Sequence, residues 1–184
     1  MNNLLSCKVA AEHIAAGQII AYPTEAIYGL GCDPRNETAL HALINLKDRD
    51  STKGLIVVAR DLNQLHGIID APDDATLERI APTWPGPVTW IMAAHKNCSE
   101  LLTGGRQTIA VRISAHPVVS DLCRCADSAM VSTSANLSGQ APMRTPEQIM
   151  SAFGSSIAGV VAGELGGLHS ATSIFDASTG TQLR

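Results

Sequence analysis

Short apolar runs alternate with helical segments along most of the chain, and this alternation restricts the fold more than any other feature. Apolar runs predict strands at 18–22, 54–59, 88–94, 108–113, 129–132, 157–162 and 173–177. Apolar spacing and capping residues predict helices at 7–16, 36–46, 62–69, 73–80, 117–125 and 145–153. Such alternation is typical of α/β proteins with a mixed sheet, and no linker or repeat divides the sequence. We therefore expect a single α/β domain spanning residues 1–184.

Composition limits the partners that such a domain can have. Hydrophobic residues make up 45% of the 184 residues, which suits a packed core, but aromatic residues make up only 3%, so stacking platforms for single-stranded nucleic acid are scarce. The net charge of −4 argues against nucleic-acid binding by bulk charge and leaves room for a local basic surface. No secretory signal or membrane-spanning run is evident, and five scattered cysteines fit reduced thiols. We therefore expect a cytoplasmic protein.

The first candidate site follows the first predicted strand. Residues 22–31 read Tyr-Pro-Thr-Glu-Ala-Ile-Tyr-Gly-Leu-Gly, and Pro23, which has no N–H to donate, is predicted to end the strand and begin a loop. Loops that carry a hydroxyl, a carboxylate and glycines after a buried strand bind ligands in many α/β proteins. The alternative is a strand-to-turn junction whose polar side chains satisfy only backbone groups. Taken alone, the stretch slightly favours this alternative.

Lys47, Arg49 and Lys53 form a second candidate site. Three cations within seven residues suit a polyanion such as the phosphates of a nucleotide, although Asp48 and Asp50 lie between them. The alternative is a solvated helix end whose cations complement the helix dipole. Charge alone leaves the two interpretations equally open.

Two further groups lie at the ends of later strands. Arg112 is in the middle of an apolar strand and needs an anionic partner, because an unpaired buried charge is very costly. An internal Asp or Glu is the commoner partner, and a carboxylate or phosphate ligand is the alternative. Residues 132–139 form a predicted loop whose hydroxyls and amide, from Ser132, Thr133, Ser134 and Asn136, offer a neutral cradle for phosphate or ribose. Neither the Walker motif nor the dinucleotide-binding glycine fingerprint occurs.

No pattern typical of a metal centre occurs in the sequence. Cys123 and Cys125 fall on different faces of a predicted helix, and no second Cys or His pair follows at zinc-site spacing. The histidines, at positions 13, 41, 66, 95, 116 and 169, are dispersed, and we interpret them as structural or exposed. No metal ligands in the protein and no catalytic triad are therefore predicted.

Five motifs, taken together, resemble one protein family. They are residues 22–31, Lys-x-Arg at 47–49, Trp-Pro-Gly-Pro-Val-Thr at 84–89, Ala-Val-Arg at 110–112 and Ser-Thr-Ser-Ala-Asn-Leu-Ser-Gly at 132–139. In this order they resemble the YrdC-like threonylcarbamoyl-AMP synthases, in the short single-domain form found in bacteria. The resemblance covers nearly the whole chain and implies the YrdC-like fold, a twisted mixed sheet with a concave ligand cleft.

The resemblance also implies a reaction. The family's nucleotidyltransferases convert L-threonine, bicarbonate and ATP into threonylcarbamoyl-AMP and pyrophosphate, with Mg²⁺ brought in by ATP. The tRNA threonylcarbamoyl-transferase machinery then passes the threonylcarbamoyl group to adenosine 37 of tRNAs that read codons beginning with A. This chemistry needs proximity and neutralisation of phosphate charge rather than a covalent nucleophile, so none is expected.

Residue roles follow from the same resemblance. Those implied for ATP binding are Lys47, Arg49, Lys53, Ser134 and Asn136. Those implied for threonine binding are Thr24, Arg112, Ser132 and Thr172, with Arg112 pairing with the threonine carboxylate. Three positions differ from the usual pattern. Ala26 stands where many relatives have Thr, Asp50 replaces a proline, and Ala171-Thr172 replaces Pro-Ser while keeping a hydroxyl.

Two other functions are compatible with the same resemblance. One is an RNA-binding or ribosome-maturation module that uses the concave face for tRNA or double-stranded RNA, although the acidic balance and scarce aromatics weaken it. The other is a carbamoyl-transfer domain of hydrogenase maturation proteins. Those domains usually belong to longer chains with zinc-finger and acylphosphatase-like segments, and neither segment occurs in this sequence.

Overall fold

One mixed eight-stranded sheet organises the chain. The computed structural model describes residues 4–168 and 172–184, so His169 and Ala171 lie outside the described residues. In spatial order the strands are β7 (Gly159–Val160), β1 (Ile20–Pro23), β2 (Tyr28–Gly31), β6 (Met130–Ser134), β3 (Ile56–Ala59), β5 (Thr108–Ile113), β4 (Val88–Ala93) and β8 (Ser173–Asp176). The β1–β7, β3–β5 and β4–β8 pairs are parallel, and the other neighbouring pairs are antiparallel. The predicted mixed α/β sheet is confirmed.

Three of the helices begin where the capping residues predict. In the described ranges the α-helices are α1 (Cys7–Ala15), α2 (Glu37–Leu46), α3 (Asp74–Ile80), α4 (Glu100–Thr103), α5 (Pro117–Ala126) and α6 (Pro146–Phe153). Asn36 and Asp73 accept backbone N–H groups at the starts of α2 and α3, and Thr145 and Gln148 form a reciprocal capping box on α6. None of the helices in these ranges is both long and apolar enough to cross a membrane.

An apolar core lies on each face of the sheet. On one face, α1 and α5 cover a cluster that includes Val58 and Met130, and on the other, α2 and α6 contribute to a larger cluster that includes Val57 and Val131. Because both faces are covered, the central strands are nearly continuous apolar runs. Arg112 is opposite Val58 in the β3–β5 register, so its side chain points to the face that carries α1 and α5.

Residues 22–31 form a hairpin, and the predicted loop is wrong for most of this stretch. Pro23 is the last residue of β1, and β2 pairs antiparallel with β1, so only residues 24–27 connect the strands. The glycines suggested a loop, but Gly31 lies in β2. Glycine is needed at this position because strand β6 comes too close to leave room for a side chain. A Cβ atom there would lie 2.3 Å from the carbonyl oxygen of Val131.

Several other predicted boundaries differ from the structure, and the strand predicted at 157–162 is only the two residues Gly159–Val160. The helix predicted at 62–69 is a single 3-10 turn, Leu62–Leu65, and the loop predicted at 96–107 contains α4. Strand β6 continues to Ser134, so the hydroxyl groups placed in a loop at 132–139 begin on a strand. Strand β2 pairs with Thr133 and Ser134 and so extends β6, and a partner this far away in the chain cannot be inferred from the local sequence.

Candidate active site

A cleft of about 330 Å³ opens beside the β1–β2 turn, on the side of the sheet to which Arg112 points. It brings together six of the nine predicted site residues: Thr24, Arg49, Arg112, Ser132, Ser134 and Thr172. Lys47, Lys53 and Asn136 are not among the residues that line it. The apolar part of the lining includes Ala26, Ile27 and Tyr28, which belong to the candidate stretch 22–31, and also Ile56 and Pro142, which were not predicted. The cleft therefore joins segments that are far apart in the sequence.

The turn that connects β1 and β2 is closed by Thr24. Its backbone N–H and its hydroxyl both donate to the carbonyl oxygen of Ile27, at 3.1 and 2.7 Å. The hydroxyl hydrogen is therefore used within the turn, and the oxygen keeps the capacity to accept a hydrogen bond from a ligand. Ala26 lies at the same wall of the cleft and contributes only a methyl group.

Arg112 has an internal carboxylate partner, the commoner of the two alternatives that its sequence position left open. Only 4% of Arg112 is exposed, and its Nη2 lies 3.2 Å from Oε2 of Glu25. Its Nη1 donates to the hydroxyl oxygens of Thr89 and Thr172, at 3.2 and 3.3 Å. Nε has no partner among the described residues. Because Arg112 also lines the cleft, the ion pair leaves it within reach of a ligand.

Glu25 is the centre of a buried polar network behind the cleft. Its Oε1 accepts the hydroxyl of Ser114 at 2.6 Å, and the oxygen of that hydroxyl accepts the backbone N–H of His116 at 3.1 Å. The imidazole Nε2 of His116 donates to the carbonyl oxygen of Glu164 at 3.1 Å, and burial lowers the pKa of His116. The sequence interpretation named neither Glu25 nor Ser114 as functional.

Lys47 lies beneath the end of β6 rather than in the cleft. Only 3% of it is exposed, and its Nζ donates to the carbonyl oxygens of Ser134 and Asn136 and to Oδ1 of Asn136. The hydroxyl of Ser134 also donates to Oδ1 of Asn136, at 2.5 Å. Lys47 therefore holds residues 134–136 in one conformation. The predicted contact between Lys47 and ATP phosphates stays a prediction.

Arg49 and Lys53 occupy different environments. The Arg49 guanidinium lines the cleft and donates from Nη2 to the carbonyl oxygen of Gly54 at 2.9 Å. Lys53 is exposed, in the short turn Ser51–Lys53. Arg106, which the sequence interpretation missed, donates to the carbonyl oxygens of Thr52 and Lys53, at 2.8 and 3.1 Å. It therefore anchors the turn beside Arg49.

A third guanidinium in the cleft belongs to Arg184, which was also missed. Its Nη2 donates to the carbonyl oxygen of Thr172 at 3.0 Å, and its backbone pairs with Ile174. No local sequence signal marks Arg184, because only the pairing of the last residues with β8 brings it to the cleft. The described lining contains no Asp or Glu, and the described residues contain no cluster of three or more His, Cys, Asp or Glu side chains that could hold a metal ion.

Comparison with known proteins gives several relatives of high coverage. The family model Sua5_yciO_yrdC, described as "Telomere recombination", matches residues 12–184. The threonylcarbamoyl-AMP synthase of Vibrio vulnificus (strain YJ016) is 48% identical over 170 residues, which are 91% of each chain. That of Xylella fastidiosa (strain M12) is 46% identical over an alignment of 186 positions that covers 100% of each chain.

A solved structure extends the similarity to the fold. P. abyssi Sua5 complexed with L-threonine matches with a TM-score of 0.88 at 25% identity, over 96% of this chain and 52% of that one. The present chain thus spans about half the length of that Sua5 chain. The predicted YrdC-like fold and the resemblance to the family are confirmed. The chain belongs to the Sua5/YciO/YrdC family.

Proposed function

We propose that this protein is a threonylcarbamoyl-AMP synthase that uses L-threonine, bicarbonate and ATP. The observation that carries the proposal is the convergence of three arginines with a row of hydroxyls in a cleft whose described lining has no Asp or Glu side chain. The guanidinium groups are those of Arg49, Arg112 and Arg184, and the hydroxyls are those of Thr24, Ser132, Ser134 and Thr172. Such a surface suits a ligand with several anionic groups and a polar backbone. Family membership supports the same reading.

In this proposal the residues act by binding and orienting substrates. The threonine amine reacts with bicarbonate to give a carbamate and water. A carbamate oxygen then attacks the α-phosphorus of ATP, and pyrophosphate leaves. Arg112 pairs with the threonine carboxylate, and Arg49 and Arg184 offset phosphate charge, which is where negative charge accumulates in the second step. No side chain needs to form a covalent bond with the substrate.

The remaining partners follow from this chemistry. The cleft's described lining offers Mg²⁺ no Asp or Glu side chain, so the ion would enter already bound to the ATP phosphates. Lys53 is exposed at the edge of the Arg49 turn and would assist with phosphate. Ser134 and Asn136 would contact the nucleotide. The acyl adenylate would then pass to the tRNA threonylcarbamoyl-transferase machinery in the cytoplasm.

The test is pyrophosphate release by the purified protein with ATP and Mg²⁺. We expect release to require both L-threonine and bicarbonate, with mass spectrometry identifying threonylcarbamoyl-AMP. Release that is independent of either substrate would overturn the proposal. Titration of the same preparation with tRNA, without ATP and at physiological salt, tests the alternative RNA-binding function, because tight binding there would favour it.

The lowered pKa of Lys47 leads to a prediction of how activity depends on pH. Burial and the neighbouring charge of Arg49 lower the pKa of Lys47 from 10.5 to about 8. Its ammonium has three N–H groups for three acceptors, and a neutral amine has only two. We therefore expect pyrophosphate release to fall as the pH rises through about 8, because the contacts to residues 134–136 are no longer complete.

Stability should change in the opposite direction over the same range. The folded-state pKa of Lys47 lies below 10.5, so above about pH 8 the unfolded chain holds more protons at Lys47 than the folded chain does. The contribution of Lys47 to the free energy of unfolding therefore rises with pH. Urea unfolding and pyrophosphate release, both measured from about pH 7 to pH 9, check this pair of trends. A loss of stability that parallels the loss of activity would contradict it.

A further inference from the structure

Glu25 gives Arg112 a carboxylate partner before any ligand is present. We propose that Glu25 limits the affinity of Arg112 for the carboxylate of the amino-acid substrate and so allows the product, which keeps that carboxylate, to leave the cleft. The inference rests on the proposed function and names the residue that sets the strength of its substrate contact. Glu25 is thus a positioning and tuning residue rather than a catalytic one.

The position of Glu25 shows that it acts through Arg112. Both side chains are buried, but only Arg112 lines the cleft, while Thr24 and Ala26 on either side of Glu25 reach it. The Glu25 carboxylate therefore lies behind the guanidinium. It faces Arg112 with one oxygen, at 3.2 Å, and the Ser114 hydroxyl with the other, at 2.6 Å. A ligand in the cleft meets a guanidinium whose charge is already offset.

Arg112 keeps donors for a second oxygen ligand. The ion pair uses a single guanidinium nitrogen, Nη2, and the Thr89 and Thr172 hydroxyls both contact Nη1. Nη2 has a second N–H with no acceptor among the described residues, whereas the unpartnered Nε–H is shielded from solvent. A ligand carboxylate can therefore bind without displacing Glu25. Two carboxylates then share one cation, and their repulsion weakens the contact compared with that of an unpaired arginine.

The backbone around Glu25 prevents it from moving away when a ligand binds. The carbonyl oxygen of Thr24 accepts the N–H of Gly166 at 3.0 Å, and that of Glu25 accepts the N–H of Leu168 at 2.9 Å. Gly166 packs so closely that a Cβ atom on it would lie 2.9 Å from Cα of Glu25. The two carboxylates would therefore remain near each other while substrate or product occupies the cleft.

The chemistry of the proposed reaction gives this arrangement a purpose. The threonine carboxylate is unchanged from substrate to acyl adenylate, so a contact with it stabilises the ground state, the transition state and the product alike. Uniform binding of this kind lowers KM without raising kcat, and strong uniform binding delays product release. With its charge partly offset by Glu25, Arg112 can bind the threonine carboxylate weakly enough for the product to be released.

The test compares Glu25→Gln with the wild-type protein and with Glu164→Gln. Glutamine keeps the shape of Glu25 and one acceptor oxygen for Arg112, but it removes the charge and replaces the second acceptor with an NH₂ donor. Glu164 is exposed and contacts His116 only through its backbone carbonyl, so it supplies the same substitution without altering Arg112. Calorimetry measures the dissociation constants of L-threonine and L-threonine amide, which lacks the carboxylate. The ratio of the two dissociation constants reports what the carboxylate contributes to binding. A general loss of structure would weaken the binding of both ligands.

We expect Glu25→Gln to raise the preference for threonine over its amide about tenfold or more, since one charge at short range in a partly buried site has effects of that order. KM for threonine and kcat should both fall, while KM for ATP stays the same. Glu164→Gln should match the wild type. A preference that is unchanged or lower in Glu25→Gln overturns the inference.

Two further outcomes keep this test distinct from that of the proposed function. Wild-type protein that binds threonine no better than its amide and releases no pyrophosphate overturns the proposed function, and the inference with it. If Glu25→Gln does not fold, Glu25→Asp replaces it, because aspartate keeps the charge but holds it one methylene farther from Arg112. A higher preference in Glu25→Asp supports the inference, and an unchanged or lower one overturns it.

Discussion

Lys47→Ala is expected to reduce threonine-dependent pyrophosphate release about 100-fold or more, an effect of the size seen when positioning groups are lost from an active site. The substitution removes every contact that the Nζ group makes with Ser134 and Asn136. Ser134 lines the cleft, so the backbone segment that positions its hydroxyl would lose its anchor. If the ammonium also contacts ATP phosphates, as the family resemblance implies, that contact disappears as well.

The same substitution should also lower stability, by about 1–3 kcal/mol, because the carbonyl oxygen of Asn136 would lose its donor while that of Ser134 would keep only the N–H of Asn136. Urea unfolding and pyrophosphate release measured on the same samples separate the two effects. Lys96→Ala is the matched control, since Lys96 is exposed and lies outside the cleft. Activity of Lys47→Ala within about tenfold of wild type would show that neither the hold on residues 134–136 nor a phosphate contact matters.

Most of the fold could be predicted because its signals are local. Asn36, Asp73 and Thr145 cap the helices that follow them, and each cap is readable within four residues of sequence. The strands buried on both faces are continuous apolar runs, as in 56–59 and 108–113. The alternation of these signals was enough to predict the mixed α/β sheet.

The features that could not be predicted depend on contacts between distant segments. Gly31 looks like a loop residue until the carbonyl of Val131 is seen beside it. Arg184 has no local signal, and it reaches the cleft because the last residues pair with β8. The same limit applies to Lys47. Charge left phosphate binding and a solvated helix end equally open for Lys47, and only its contacts with the carbonyl oxygens of Ser134 and Asn136 reveal that it is buried.

Arg112 shows how far a physical argument from sequence can extend. Its place in an apolar strand required an anionic partner, and Glu25 provides one. The sequence could not identify which carboxylate this is, because residues 25 and 112 meet only through the hairpin. Nor could the sequence show that Arg112 can pair with an internal carboxylate and still face a ligand. The pair with Glu25 leaves Arg112 in the cleft wall, where a ligand carboxylate could also bind.

Arg112→Ala should therefore strongly reduce activity and destabilise the protein. Removing the guanidinium leaves the Glu25 carboxylate buried without its cation, and breaking a buried pair in this way costs about 3–5 kcal/mol. Loss of the contact with the threonine carboxylate should lower kcat/KM for threonine about 100-fold or more. Urea unfolding measures the first effect and pyrophosphate release the second. An unchanged free energy of unfolding would mean that the ion pair contributes no stability.

The double variant Arg112→Ala, Glu25→Gln separates the structural role of Arg112 from its role in binding. With both charges removed, no uncompensated carboxylate remains, so most of the lost stability should return. Activity should stay as low as in Arg112→Ala, because the group that pairs with the substrate carboxylate is still missing. The coupling free energy from the cycle, with Glu25→Gln as the fourth protein, measures the pair directly. Recovery of activity together with stability would mean that Arg112 serves only to neutralise Glu25, and the assignment of Arg112 to threonine binding would have to be abandoned.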